Sequence, residues 1–424
     1  MGIKKNYSFT IIVLLTFFTS GLTSIITPMA KEISSALGFG EANVAQINSF
    51  FLIVGAISSF IWATIGDRVS RKKLLFIATL EWSIFTFLTI FSTNYLTLLI
   101  FQLLSAIGFG AALPLSFSLT TDIVEVEERG GKFGLLSAVY VLGIGLGQLI
   151  SGFLIDFYTW QIPFIIIAVG GFLTTGSLFV VEEPERGGKD KLYSTPKEEE
   201  LDYKINVKDF GTIWDIKSTF LILVFNLLLF ISMGAVSSLF IAMLKNDYQF
   251  SSTIATIFLI IVFGGQIPSG PLFGKLGDKW YEKDLNGRIK VIGLCLLAGG
   301  IFYLSAFLLN FTYQNLVLSI IFIILVFLGA FFFGGIDPLT QATLGEINPP
   351  KIRSTIFSIN FISNTVGRSI SLLIVSQFFI VFNNQYRPGY IAISIMALLV
   401  NLMIFPILRR LPIDIEKIKQ KDSK

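Results

Sequence analysis

Residues 44–92 read VAQINSFFLIVGAISSFIWATIGDRVSRKKLLFIATLEWSIFTFLTIFS. Two apolar runs, 44–65 and 74–92, flank a short polar turn, Gly66-Asp67-Arg68-Val69-Ser70-Arg71-Lys72-Lys73. Each run has about the 20 residues that a helix rising ~1.5 Å per residue needs to cross a ~30 Å hydrocarbon core. The turn places an acid and a basic cluster where both runs leave that core.

Working outward from this hairpin, ten more runs of the same kind appear. They are 9–30, 96–119, 133–155 and 162–181 in the first half, and 218–243, 254–276, 289–309, 315–338, 354–382 and 388–409 in the second. The sequence thus predicts an all-α membrane protein with twelve spans, numbered here in chain order. The first run alone also reads as a signal peptide, since Lys4 and Lys5 precede it. It ends in Pro28-Met29-Ala30 without an A-x-A cleavage pattern, and eleven spans follow, which favours a span.

Composition agrees. Of 424 residues, 53% are hydrophobic and 14% charged, where soluble proteins carry about a quarter charged. One cysteine, Cys295, excludes an internal disulfide and a multi-thiolate metal site, and the lack of histidine excludes an imidazole base or a His-ligated metal. No Walker loop is present, which excludes an ATP-driven pump. No catalytic residue, metal ligand or cofactor is therefore expected.

The basic residues set the orientation. With the N-terminus inside, only Lys31, Lys245 and Arg387 fall in outer loops and only Arg368 within a span; the other basic residues gather on the inner face. This is the positive-inside pattern, and it predicts a multi-pass cell-membrane protein with both termini cytoplasmic. Anionic lipid headgroups are the expected partner of these clusters, and nucleic acid is not.

A charged segment, 182–217, splits the chain. The predicted organisation is a six-helix bundle over 1–181, a cytoplasmic linker over 182–217, a second six-helix bundle over 218–409 and a cytoplasmic tail over 410–424. The linker reads as solvated, with Ile213-Trp214-Asp215-Ile216-Lys217 patterned as an interfacial amphipathic helix. The halves echo each other. Gly66-Asp67-Arg68 after span 2 parallels Gly277-Asp278-Lys279 after span 8. A constant step pairs Pro114 with Pro338, Asp122 with Glu346, Arg129 with Arg353 and Gly143 with Gly367. A six-span repeat about an axis along the membrane normal is a transporter plan.

These residues resemble the major facilitator superfamily. The loop Gly66–Lys73, its looser second copy at Gly274–Lys279, Asp122 with Glu128-Arg129-Gly130, and Trp160-Gln161-Ile162-Pro163-Phe164 carry the resemblance over about 7–409. Within that family, the stretch leading into Trp82-Ser83, Gly143-Ile144-Gly145-Leu146-Gly147 and Glu183-Pro184-Glu185-Arg186-Gly187 resemble the Spinster-type lipid transporters. The resemblance implies two pseudo-symmetric six-helix bundles and a monomeric secondary active transporter, an antiporter for instance, working by alternating access. It also implies an inner gate. Gly66, Asp67, Arg68, Arg71, Asp122, Arg129, Gly277, Asp278 and Arg353 are its expected residues, with Asp67 at the helix N-terminus of span 11. Such a latch would favour the outward-open state.

Charges inside the spans cost at least ~2.5–3.5 kcal/mol on insertion scales, so survivors are informative. Glu81 lies in span 3, Asp337 beside Pro338 in span 10, and Arg368 after Gly367 in span 11. Asp337 and Arg368 read as proton carrier and anion contact in a shared cavity, or as a structural ion pair. Gln102 stands where the family's fourth helix carries an arginine, and adds a polar group. The expected cargo is a small organic solute, amphiphilic and anionic, driven by an ion gradient such as a proton gradient. Two other readings stay open. One is a membrane enzyme acting on lipid, and the other a transport-inactive scaffold or sensor on the same fold. Glycines 108, 110, 143, 145, 147 and 152 are candidate close-contact or hinge positions on spans 4 and 5.

Overall fold

A computed structural model describes residues 2–155, 157–189, 216–383 and 385–422. The patterned end of the linker, 213–215, lies outside the described residues. The described chain is helical, with no strand among these residues. Twelve stretches are long and apolar enough to span a membrane. In the first half they are Tyr7–Leu37, Gln46–Gly66, Arg71–Phe91, Tyr95–Ile123, Val126–Leu154 and Gln161–Val180. In the second half they are Lys217–Asn246, Ile254–Tyr281, Gly287–Leu308, Leu316–Ile347, Pro350–Val381 and Arg387–Gln420. Number and order are those predicted from the runs. Helices and closed barrels are the structures that satisfy every backbone group without water.

Side chains start several of these helices. Ser70 accepts from the Lys73 amide and caps span 3, and Asn94 with Thr97 forms a capping box on span 4. Ser251 and Asn315 do the same for the helices opening spans 8 and 10.

Two spans of the second half are broken at a glycine pair, which the runs did not reveal. Span 8 is built of Ser252–Gly264 and Gln266–Tyr281, and span 10 of Leu316–Phe333 and Ile336–Ile347. The breaks share a Phe-Gly-Gly-x-x-Pro pattern, Phe263-Gly264-Gly265-Gln266-Ile267-Pro268 and Phe333-Gly334-Gly335-Ile336-Asp337-Pro338. A proline has no amide hydrogen for the carbonyl four residues back, here Gly264 and Gly334, and its ring crowds that carbonyl. Each proline is tolerated because it falls in the first turn of the new half-helix. Asp337 consequently sits in the first turn of the second half of span 10.

The chain forms two compact units. The first comprises Met1–Glu125, Val139–Asp209 and Asn348–Ile359, and the second Val126–Ala138, Phe210–Ile347 and Asn360–Lys424. The opening residues of span 11 thus group with the first unit and those of span 5 with the second. In the first unit, span 4 packs on spans 2 and 3, and span 6 on spans 1 and 3. In the second, span 9 packs on spans 10 and 12, and span 7 on span 12.

Small residues set the closest approaches. A Cβ built on Gly110 would fall within 3.0 Å of the Gly55 carbonyl and the Ser59 amide of span 2, and one on Gly108 would strike the Ala78 carbonyl of span 3. Gly143 and Gly147 press on span 1 in the same way. Gly145 meets nothing within 4 Å, and Gly152 touches only the Pro28 ring, at 3.7 Å. Gly110→Ala should therefore destabilise the protein by about 1–3 kcal/mol through overpacking, while Gly145→Ala should leave it unchanged. Thermal melts of both variants in detergent check the contrast.

Candidate functional site

The turn after span 2 is organised by Asp67. Its side chain is buried and accepts from two backbone amides at the start of span 11, Ser354 N to Oδ1 at 2.7 Å and Thr355 N to Oδ2 at 2.8 Å. All of these residues belong to the first compact unit. The first amides of a helix lack intrahelical partners and carry partial positive charge, so a carboxylate fits there. Burial pushes the Asp67 carboxyl above the ordinary range, while hydrogen bonds from Thr355 and Ser354 pull against that. Gly66 makes the turn possible by its size, since a Cβ there would run into Leu115 of span 4.

A buried charge cluster lies beside it. Asp122, at the end of span 4, pairs with Arg71 at 2.5 Å and Arg353 at 3.0 Å, and none of the three side chains is exposed. Arg71 also donates to the carbonyl and hydroxyl of Ser118 at 3.1 and 3.0 Å. Arg68 is half-buried at the turn.

The second unit holds a counterpart. Asp278 accepts from the Gly130 amide at 3.0 Å and the Gly131 amide at 2.8 Å, at the start of span 5. Arg129 directly precedes these amides and is buried. Arg288 bridges Asp278 and Glu346, each at 2.8 Å, and lies over the Tyr281 ring at 4.3 Å. Gly277 abuts Leu339 of span 10. Asp67 and Asp278, which the repeat pairs, thus each accept from two successive amides at the start of a span in their own unit.

The sequence reading missed part of this arrangement. Residues 183–187 belong to the segment read as solvated, yet they lock onto the turn. Glu183 accepts from the Arg71 amide at 2.7 Å and from the Ser70 hydroxyl. Arg186 donates to the carbonyls of Gly66 at 2.9 Å, Val69 at 2.6 Å and Asp67. Gly187 adopts φ 71°, which turns its amide to Asp122 Oδ1 at 3.0 Å. The available signal was a lone arginine and glycine directly after span 6, in a segment otherwise dense in glutamate and lysine.

Within the second unit a polar seam runs between spans 7, 10 and 11. Asn360, Asn364 and Arg368 recur every four residues along span 11, so they share one helix face. Span 7 meets them with Asn226, Phe230 and Gly234, at the same spacing. The Asn226 amide donates to Asn360 Oδ1, Arg368 lies over the Phe230 ring at 5.9 Å, and Gly234 leaves room for the Arg368 backbone. Span 10 contributes Asp337, which accepts from Gln341 Nε2 at 3.4 Å and from Asn364, and feels the charge of Arg368. Asp337 and Arg368 both belong to the second unit, on spans 10 and 11. The seam is polar beyond its own needs. Asn226 Oδ1, Asn360 Nδ2, Asn364 Oδ1 and Gln341 Oε1 are buried with no hydrogen-bond partner among the described residues. Buried polar atoms are nearly always paired, so these four leave hydrogen-bonding capacity in the seam.

Glu81 and Gln102 lie elsewhere, in the first unit. Gln102 is buried and donates to Thr89 Oγ1 at 2.9 Å, tying span 4 to the end of span 3. Glu81 is half-buried against Gly108 on the same span pair.

Removing Asp122 would take the nearest carboxylate from two buried guanidinium groups, of which Arg71 keeps Glu183 at 3.6 Å. Asp122→Ala should cost about 3–5 kcal/mol. Asp67→Asn puts an amide donor against a backbone donor and should cost about 1–3 kcal/mol. Denaturation of the purified protein in SDS measures both.

The family model for the Major Facilitator Superfamily matches residues 12–225 and 222–423. A candidate niacin/nicotinamide transporter of Bacillus subtilis is 30% identical over 129 residues, 30% of this chain and 32% of its own length. Citrate exporter 1 of Aspergillus niger is 22% identical over 178 residues, 42% of this chain and 34% of its own. The multi-drug resistance efflux pump PmrA of Streptococcus pneumoniae is 26% identical over 277 residues, 62% of this chain and 65% of its own. The chain thus spans about a third of the length of the first two relatives. Among solved structures, the proton:xylose symporter XylE bound to 6-bromo-6-deoxy-D-glucose superposes with TM-score 0.69 at 16% identity, covering 96% of each chain. The transporter FucP in the outward conformation gives 0.72 at 12% identity, covering 95% of this chain and 97% of its own. The proteins matched are transporters rather than enzymes, and the fold is theirs. The chain belongs to the major facilitator superfamily.

Proposed function

We propose that the protein is a secondary active transporter that moves a small organic anion by alternating access. The observation that carries this reading is the seam around Arg368. It offers one cation, the exposed Arg368, beside two unused amide oxygens from asparagines, one unused amide nitrogen and a glutamine oxygen, these four atoms being buried. A carboxylate or phosphate bound to Arg368 would give that cation a charge-assisted partner. The neighbouring orphans would then take the remaining polar groups of the solute. The Phe230 ring beside Arg368 suits an amphiphilic cargo. Two of the relatives are named for carboxylate-bearing solutes, which supports an acid as cargo.

Asp337 is the coupling group in this reading. An ionisable residue inside a span marks an ion or proton path. It stands at the first turn of a broken helix, next to Arg368, where a proton gained or lost alters the charge that the solute meets. Glu81 and Gln102 are assigned supporting roles on spans 3 and 4. The Asp67 and Asp278 contacts serve as the inner gate, with Gly66, Arg68, Arg71, Asp122, Arg129, Gly277 and Arg353. The basic bias puts this gate, both termini and the linker in the cytoplasm.

Flux into proteoliposomes under an imposed proton gradient tests the proposal, with nicotinate and citrate as first solutes and a lipophilic carboxylate as third. Arg368→Ala should lower apparent affinity for the transported acid about 10–100-fold, the loss expected when a hydrogen bond to a charged group is removed. Asp337→Asn should abolish the response to the gradient while leaving solute binding. Wild-type protein that moves no solute would indicate the scaffold reading, and conversion of lipid without a gradient would indicate the enzyme.

A further inference from the structure

A second feature lies away from the seam, where span 7 begins and span 12 ends. A cavity of about 500 Å³ opens there, lined by Lys217, Phe220, Leu221, Pro406, Arg409, Arg410 and Ile413. Its walls are fixed. Asp414 is buried and accepts from the Ser218 amide at 2.9 Å and the Ser218 hydroxyl at 2.8 Å, which binds the last turns of span 12 to the first turn of span 7. Arg410 pairs with Asp414 at 2.9 Å, and its Nε is buried with no hydrogen-bond acceptor among the described residues.

Among the described residues three cations and no acid line the cavity, since Asp414 turns away to Ser218 and Arg410. Lys217 and Arg409 are exposed, and neither has an ion-pair partner among the described residues. The remaining lining is apolar. Toward the membrane interior, span 12 continues the same side with Phe405 and Leu402, which are 62% and 61% exposed. Span 7 continues it with Phe220, which is 40% exposed. A polar, cationic mouth that runs into an apolar track matches a molecule with an anionic head and hydrocarbon chains.

We propose that this cavity binds the phosphate headgroup of an anionic phospholipid, with its chains along Phe220, Phe405 and Leu402. Lys217 and Arg409 meet the phosphate, and Arg410 Nε supplies a fixed donor. A soluble phosphate would find the cations but leave the apolar track empty, so the lipid is the better fit. The positive-inside bias puts the site in the cytoplasmic leaflet, where anionic lipids concentrate.

Native mass spectrometry of the detergent-purified full chain, titrated with phosphatidylglycerol or phosphatidylcholine, tests this. Wild type should retain phosphatidylglycerol in preference to phosphatidylcholine. Lys217→Gln and Arg409→Gln should each weaken phosphatidylglycerol binding about fivefold, with phosphatidylcholine unaffected. Arg409→Lys should keep the binding, which separates loss of charge from loss of fold. Ile413→Glu, which adds an acid to the lining, should lose it. Equal retention of the two lipids, or unchanged binding in Lys217→Gln/Arg409→Gln, would overturn the proposal. So would displacement of the lipid by glycerol 3-phosphate at equal concentration, which would assign the cavity to a soluble phosphate.

Discussion

A helix that begins at a membrane surface, packed under other helices, presents amide hydrogens that water cannot reach. Those hydrogens must find an acceptor, and a carboxylate is the strongest one available to the chain. Asp67 supplies it to the start of span 11, and Asp278 to the start of span 5. Much else at these places follows from that choice. Putting a carboxylate under cover calls for nearby cations, and Arg186 and Arg288 stand at the two turns. Cations in turn call for more acid, and Asp122 and Glu346 provide it. The result is, in each unit, a buried cluster in which acids and cations offset one another.

The twelve spans were legible because a bilayer leaves no choice of length or polarity. The repeat was legible as well, since Asp122 and Arg129 recur as Glu346 and Arg353 at one constant step. The breaks in spans 8 and 10 were less so. Hydropathy averages over a window, and Gly-Gly with a proline four residues after the first glycine lowers it only slightly. The presence of ionisable residues inside spans 10 and 11, Asp337 and Arg368, was legible in the sequence. The orphaned asparagines and glutamine around them were not, because unmet hydrogen bonds are a property of packing. Asn360, Asn364 and Arg368 do carry a four-residue period, and reading it against Asn226 would have located the seam. The docking of Glu183 and Arg186 was hidden by composition: a chain dense in charge reads as solvated until its partners are known.

Polar side chains stitch spans 3 and 4 together: Gln102 donates to Thr89, and Thr86 meets Ser105 at 2.9 Å. Hydrogen bonds that close on themselves hold helices in place. Unused hydrogen-bonding capacity occurs in both units, at Glu81 Oε2 and Trp82 Nε1 on span 3 as well as on spans 7, 10 and 11.

Spans 5 and 8 come close in the second unit at facing glycines. A methyl on Gly134 would strike the Gly270 carbonyl, and one on Gly274 the Gly130 carbonyl, so main chain rests on main chain at those points. No rotamer sets how near the two rods lie there, and the Asp278 carboxylate fastens the end of the contact through the Gly130 and Gly131 amides.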